Sequence, residues 1–354
     1  MLRFTYQALP GRVIFGAGSL ERLPDEIQLL GASRALVLAT REQRDQAHAV
    51  AGRIGARAVG VFSQATMHVP VATAEAAREE AKRLSADCCV AVGGGSTTGL
   101  AKAIALVSAL PILAVPTTYA GSEMTPIWGL TEAGVKWTGR DPRVLPKTVI
   151  YDPQLTLTLP PLLSATSGMN AVAHCVEALY AEDANPVISL MAEEGIRALA
   201  TSLPAVVKNP REIEGRSQAL YGAWLAGASL GAVGMALHHK LCHVLGGTFN
   251  LPHAETHTVV VPHVVAYNRA AAPKAIARVA RALGVDDAAA GLYALAASMG
   301  APTSLGQIGM KENDLDRAAD LAVESPYYNP RPVIRQGVRA LLEDAFRGRP
   351  PTPR

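Results

Sequence analysis

An α/β domain over residues 1–157 followed by an all-helical domain over residues 158–354 is the fold class that this sequence predicts. Three observations predict it. Up to residue 151, short runs that are apolar throughout alternate with amphipathic stretches, as in a parallel sheet covered on both faces. Beyond residue 160 the strand pattern stops and helix-compatible spacing takes over. Glycine-rich and hydroxyl-rich turns stand where strands hand over to helices, at the edge where open α/β sheets bind ligands.

Residues 12–15 (RVIF) are an apolar run ending at Gly16-Ala17-Gly18. Ser19 is placed to cap a helix reaching residue 30, with Gly31 ending it. Residues 34–40 (RALVLAT) read as a buried strand, 43–54 as a helix, 58–62 as a strand and 72–84 as a helix with its charges on one side. Strand 88–92, helix 96–110 and strand 112–115 follow. Residues 127–140 alternate weakly around Glu132-Ala133-Gly134, as a hairpin would, and 147–151 is the last strand, broken by Asp152-Pro153. Helical spacing then covers 162–180, 187–203, 211–232, 235–245, 258–272, 274–283 and 333–346. Small residues in the run GAWLAGASLGAVG permit close helix packing.

Two loops carry the ligand prediction for the first domain. Gly93-Gly94-Gly95-Ser96 lies between a strand and a helix. Its glycines allow close backbone approach, Ser96 can cap the helix, and the exposed N–H groups suit a pyrophosphate. Pro116-Thr117-Thr118-Tyr119-Ala120-Gly121-Ser122-Glu123 follows the next strand and lines the same sheet edge. Either loop alone is compatible with an ordinary turn. Together they predict a dinucleotide site using Gly93, Gly94, Gly95, Ser96, Thr117, Thr118 and Ser122, with Lys102 reaching for phosphate or packing within its helix. Gly16-Ala17-Gly18 is only part of a GxGxxG fingerprint, because Glu21 stands where the third glycine belongs. Thr40, followed by Arg41, closes the second strand where an acid would hold an adenosine ribose. An uncharged side chain there predicts that NADH and NADPH are both accepted.

The helical half is organised around residues 234–263, GMALHHKLCHVLGGTFNLPHAETHTVVVPH. His239 and His243 are four apart and share a helix face, and His253 follows a Gly-Gly pair and Pro252. Upstream, Asn170 and His174 repeat that spacing. Imidazoles gathered this way serve metal binding or proton transfer. Asn170 offers only a neutral amide oxygen, a poor ligand for a transition metal. His243, His174, His239 and His253 are therefore the candidate catalytic residues, with Lys240 and His238 beside them. Lys240 lies about 100° around the helix from His239 and also suits a solvated surface lysine. His257 and His263 are expected to be structural or exposed.

Composition excludes several classes. Apolar residues make up 49% of the chain and aromatic ones 5%, so Ala, Val and Leu must build the interior. The net charge of +3 is interspersed, which gives no electrostatic case for nucleic acid. The N-terminus lacks a charged segment followed by an apolar core, and the longest apolar run, 103–115, is interrupted by Ser108 and Pro111. Neither a signal peptide nor a membrane partner is expected. Cys88, Cys89, Cys175 and Cys242 show no CxxC spacing and read as reduced thiols of a cytoplasmic protein.

These motifs, GGGS at 93–96 with Ala101-Lys102, PTT at 116–118, the helix at 168–178 and HxxxH…PH at 239–253, resemble the iron-containing (group III) alcohol dehydrogenase family. Within it they look more like the maleylacetate reductase branch. The resemblance covers nearly the whole chain. It implies the dehydroquinate synthase-like fold, in which a dinucleotide-binding α/β domain precedes a helical catalytic domain, and commonly a homodimer. In metal-dependent members an Asp and three His bind Fe²⁺ or Zn²⁺. Here the Asp position is Asn170 and the histidines are His174, His239 and His253, while His243 matches the histidine beside the nicotinamide. The acid of GGGSxxD is Gly99, and the Gly after Pro-His is Ala254. The loss of the acidic ligand implies a metal-free site; were a metal retained, His174, His239 and His253 would hold it.

The activity so implied is reduction of a carbon–carbon double bond conjugated to a ketone in a small dicarboxylate, in the degradation of aromatic compounds. His243 is the expected proton donor or enolate stabiliser. Protonated His174, His239 and His253 are expected to supply the positive charge that a metal ion would otherwise bring. Two other activities remain open at this point: a metal-dependent alcohol or polyol dehydrogenase, and a cyclase or lyase like dehydroquinate synthase.

Overall fold

The computed structural model describes residues 4–9, 11–132 and 135–352. The chain divides into two compact units: Leu9–Leu159, and Pro160–Arg354 together with the residues up to Ala8. The described residues before Leu9 thus group with the helical unit, whereas the sequence boundary at 157/158 assigns them to the first domain. Both Phe4 and Tyr6 are exposed.

Among the described residues of the first unit, strands alternate with helices up to the fifth strand, and three further strands follow. The strands are β1 (Arg12–Phe15), β2 (Ala35–Thr40), β3 (Ala58–Ala65), β4 (Cys88–Gly93), β5 (Ile112–Pro116), β6 (Ile127–Glu132), β7 (Val135–Arg140) and β8 (Thr148–Tyr151). The helices are α1 (Leu23–Leu29), α2 (Arg44–Ile54), α3 (Val71–Arg83) and α4 (Gly95–Ser108). Six strands form one sheet in the order β1-β8-β5-β4-β2-β3, all parallel. Both faces are covered. Val37, Val90 and Val115 pack with α1 and α2 residues, while Leu36, Leu38 and Cys89 pack with α3 and α4. That is why these strands read as unbroken apolar runs rather than alternating ones. β6 and β7 pair antiparallel as the predicted hairpin; its turn at Ala133-Gly134 lies outside the described residues.

Asp152 ties the first helix to the end of the sheet, and Ser19 does not cap it. The Asp152 carboxylate accepts from Gly18 N and Leu20 N at 3.1 Å each, while Ser19 Oγ donates to Tyr151 O at 3.2 Å. Residues 19–22 form a 3₁₀ turn before α1, so a remote carboxylate replaces the local cap that the sequence suggests.

The second unit is helical: α5 (Pro161–Leu179), α6 (Pro186–Lys208), α7 (Ile213–Ala232), α8 (Leu237–Phe249), α9 (His253–Asn268), α10 (Pro273–Leu283), α11 (Ala288–Ser298), α12 (Leu315–Val323) and α13 (Arg335–Arg347). Two of these are not predicted from sequence. α11 (AAAGLYALAAS) has no polar face to reveal a period, and α12 is short. α6 continues through Pro204 to Lys208, and α9 starts at His253 rather than at 258, with Pro252 at its N-cap. Among the described residues no single helix is long and apolar enough to cross a membrane; α7 and α8 reach that composition only as a pair bent by 96°.

Gly93 is where the sheet narrows into its loop. Its φ of +152° is one that residues with side chains rarely adopt, and an added Cβ would stand 2.4 Å from Thr97 Oγ1 and 2.7 Å from Gln43 Oε1. Gly93→Ala is expected to lower stability by about 1–3 kcal/mol and to weaken nucleotide binding, measured by urea unfolding and cofactor titration.

Candidate active site

The glycine loop of the first unit is a tight polar cradle. Gly94 is the N-cap of α4 and makes no side-chain cap, so Ser96 lies inside the first turn and is not the cap expected of it. The first N–H groups of a 14-residue helix are thereby left without a side-chain acceptor from the cap position. A Cβ on Gly94 would come within 2.9 Å of Thr118, and Thr117 N donates to Gly93 O at 3.1 Å, so the two predicted loops adjoin. Gln43 Nε2 donates to Thr117 Oγ1 at 2.7 Å. Thr97 Oγ1 is buried without a hydrogen-bond partner. A close-packed glycine turn, an uncapped helix start and an unsatisfied hydroxyl fit a phosphate-bearing cofactor. Gly93, Gly94, Gly95, Ser96, Thr117 and Thr118 meet there. Gln43 and Thr97 are additions, both hidden in sequence because neither belongs to a glycine motif.

Lys102 does not reach for phosphate. Its buried ammonium donates within a cage of Ser122 O (2.7 Å), Thr125 O (2.8 Å), Thr125 Oγ1 (2.9 Å), Ile127 O (2.7 Å) and Ser122 Oγ (3.2 Å). An ammonium has three protons, and these acceptors take them all. Burial lowers its pKa to about 7, the charge of Glu123 opposing and that of Arg140 adding to the fall. Glu123 is itself buried and accepts from Tyr151 OH at 2.8 Å; burial raises its pKa. Lys102 therefore pins the segment 122–127, and Ser122 is engaged in that tie rather than offered to a cofactor. At the end of β2, Thr40 has an acid beside it after all. Glu42 lies two residues on, its pKa lowered by its own backbone N–H and then by the Thr40 hydroxyl.

In the second unit, α5, α8 and α9 bring the histidines together. Ring centroids lie 4.9 Å apart for His174–His239, 5.1 Å for His238–His239, 4.8 Å for His238–His257, 4.3 Å for His253–His257 and 6.4 Å for His239–His243. His174, His238, His239 and His257 are buried, His253 is half-buried and His243 is exposed. His257, expected to be structural or exposed, stands wholly buried amid the other rings with neither nitrogen hydrogen-bonded. It follows His253 by four residues, the same signal that revealed His239 and His243. Lys240 turns to the Tyr327 ring, 5.9 Å from its centroid.

The hydrogen bonds assign the tautomers. Glu177, wholly buried, accepts from His239 Nδ1 at 2.7 Å, so His239 carries its proton there and presents Nε2 as an acceptor. His174 Nδ1 then donates to His239 Nε2 at 2.8 Å. His238 Nε2 donates to His257 O at 3.2 Å. Burial pulls the pKa of His238 down to about 3, helped by the charge of His239 and opposed by that of Glu177. Burial, and then His243, lowers His239 to about 3 as well. His257 is also well below its ordinary value, by burial first and the neighbouring rings second. The expected cluster of protonated imidazoles is thus corrected: His239 and its buried neighbours His238 and His257 are neutral at pH 7, because an imidazolium there would be stripped of water.

The donor set departs from a family metal site. Asn170 Oδ1 is buried and without a partner, and it brings no charge. His174 Nδ1 and His239 Nε2 face each other at 2.8 Å across a shared proton. Two nitrogens bound to one tetrahedral ion at about 2.0–2.1 Å would stand about 3.3 Å apart. Among the described residues, the trio whose donor atoms all lie within 4.8 Å of one another is His238, His239 and His257, which omits His174 and His253. This arrangement does not fit the metal site implied by the resemblance, in which His174, His239 and His253 share one ion.

A parallel-sheet unit with a phosphate-type glycine cradle, joined in one chain to a helical unit holding a histidine cluster, is the plan of a nicotinamide-type dehydrogenase. The description "Iron-containing alcohol dehydrogenase" matches residues 10–153, and "Fe-containing alcohol dehydrogenase family, C-terminal" matches residues 164–346. The chain belongs to the iron-containing alcohol dehydrogenase family and is an oxidoreductase. Within the family it is similar over its full length to maleylacetate reductases. It is 61% identical to that of Burkholderia cepacia, covering 98% of this chain and 99% of the relative. It is 58% identical to that of Sphingobium indicum, covering 99% of each. The crystal structure of maleylacetate reductase from a Rhizobium species superposes with a TM-score of 0.95 at 53% identity, over 99% of this chain and 100% of that one.

The buried imidazoles set the sign of a pH effect. With pKa values in the fold of about 3 for His238 and His239, against about 6.5 unfolded, the native state binds fewer protons in that window. Their contribution is complete above about pH 6.5 and is lost as pH falls toward 3. The urea midpoint should therefore drop between pH 7 and pH 5, and less steeply in His257→Leu. A midpoint flat across that interval would count against neutral buried rings.

Proposed function

We propose that this enzyme reduces maleylacetate to 3-oxoadipate with NADH or NADPH. The observation that carries the reading is the 61% identity to a maleylacetate reductase over essentially the whole of both chains. The bound nicotinamide supplies a hydride. The alkene carbon β to the ketone gains a C–H bond, the alkene electron pair moves to form an enolate, and the carbon next to the ketone takes a proton. Gly93, Gly94, Gly95, Ser96, Thr117 and Thr118 hold the cofactor in this reading. His243 delivers the proton: it is exposed, which keeps a route for reprotonation from solvent, and it lies one helical turn from His239.

The substrate's two carboxylates need positive charge or hydrogen-bond donors. Because His238, His239 and His257 are neutral, that task falls in this reading to the groups that keep some exposure: Lys240, His243 and His253. We infer also that turnover needs no resident metal. Two features support this: the amide of Asn170 in place of an acidic ligand, and the direct His174–His239 hydrogen bond.

Enzyme stripped of metal by exhaustive chelation should oxidise NADH in the presence of maleylacetate at the untreated rate. Complete loss, restored only by Fe²⁺ or Zn²⁺, would overturn the metal-free reading. NADH and NADPH should both support turnover. Glu42 beside Thr40 disfavours a 2′-phosphate and Arg41 favours one, so kcat/KM values for the two should differ by less than about a hundredfold.

A further inference from the structure

The α7–α8 junction presents a problem in backbone hydrogen bonding that one side chain resolves. α8 starts at Leu237 after Ala236, whose methyl cannot cap the first N–H groups, and Ala236, Leu237, His238 and His239 are all buried. Glu177, near the end of α5, supplies the acceptors. Its carboxylate takes Ala236 N at 2.9 Å, His238 N at 2.8 Å and His239 N at 3.4 Å, and also His239 Nδ1 at 2.7 Å. The nearby Tyr180 phenol stays protonated, by burial first and then by the Glu177 charge. Each of these four hydrogen bonds brings a donor to the carboxylate, so it orients not only the helix start but one particular imidazole.

We propose that Glu177 is a positioning residue for the reaction, setting the tautomers of the His239–His174 pair. An acceptor-only carboxylate admits only the Nδ1–H form of His239. That leaves Nε2 of His239 as an acceptor, which in turn requires His174 to turn Nδ1–H toward it. The polarity of the line Glu177–His239–His174 is therefore dictated from its buried end. The proton of that hydrogen bond then belongs to His174 Nδ1. One oxygen, Oε2, takes Ala236 N, His239 N and His239 Nδ1, and the other takes His238 N. Glu177→Gln can therefore keep its carbonyl at the Oε2 position, with its NH₂ toward His238 N, and so keeps the Nδ1–H form. Glu177→Leu removes the acceptor, and His239 then gains a hydrogen bond by carrying its proton on Nε2 and donating to His174. The catalytic consequence rests on the reduction proposed above; the tautomer itself does not.

The test uses full-length enzyme with ¹⁵N-labelled histidine. Long-range ¹H–¹⁵N spectra at pH 7.5 should show His239, assigned by its loss in His239→Gln, protonated at Nδ1 in the wild type and in Glu177→Gln, and at Nε2 in Glu177→Leu. For Glu177→Leu, kcat with maleylacetate should fall on the order of 100-fold while the KM for NADH stays within about twofold. Glu177→Asp, which keeps an acceptor-only head, should recover part of the loss. A wild-type His239 protonated at Nε2 would overturn the proposal whether or not the variants fold. So would a Glu177→Leu enzyme with unchanged kcat. If wild-type enzyme fails to turn over maleylacetate, the functional reading falls, and the tautomer spectra still decide the role of Glu177.

Discussion

The contact on which the candidate site depends is the buried carboxylate of Glu177 against the start of α8. A helix that begins inside a protein leaves its first N–H groups to be satisfied, and each unsatisfied one costs about 1–3 kcal/mol. Glu177 meets that need from another helix, and the same oxygens receive the Nδ1 proton of His239. Helix placement and imidazole orientation thus share one cause. The His174 ring follows from His239, and the rings of His238 and His257 pack against that pair.

The first unit solves a parallel problem with the opposite charge. Between β5 and the β6–β7 hairpin the segment holds only a 3₁₀ turn, Ser122–Met124, and most of its carbonyl groups lack sheet partners. The Lys102 ammonium gathers three of them together with two hydroxyls. Next to it, Glu123 and Tyr151 share a buried hydrogen bond. In each unit one buried side chain ties down backbone at the edge of the regular elements. Such groups are costly to strand, and removing one partner exposes the full desolvation cost of the rest.

Burial also decides the chemistry of the histidines. Gathering imidazoles suggests either a cation cluster or a metal cage, and both readings assume that the rings are free to charge or to coordinate. Wholly buried rings resist protonation, and His239 has both nitrogens in hydrogen bonds within the protein. His243, exposed on the same helix face one turn on, keeps access to solvent. Two histidines four residues apart therefore differ in what they can do.

The succession of apolar strands along the chain, the glycine loop at 93–96 and the Asn170/His174 and His239/His243 pairs were all legible in the sequence, because periodicity and motif spacing are local properties. So was Asn170 at the position where the family resemblance implies an acidic residue. Other assignments required the fold. Ser19 and Ser96 stand where capping residues belong, yet Asp152 takes the first duty and no side chain takes the second. Lys102 follows a phosphate loop, yet its ammonium turns inward to residues 20 or more positions away. Glu177 sat in plain view three residues after His174, on the same face, but its partners lie about sixty residues downstream. Sequence by itself determined which side chains share a helix face or a loop. Only tertiary structure decided which of them are stripped of water and which partners satisfy them, because desolvation and hydrogen-bond satisfaction depend on elements far apart in the chain.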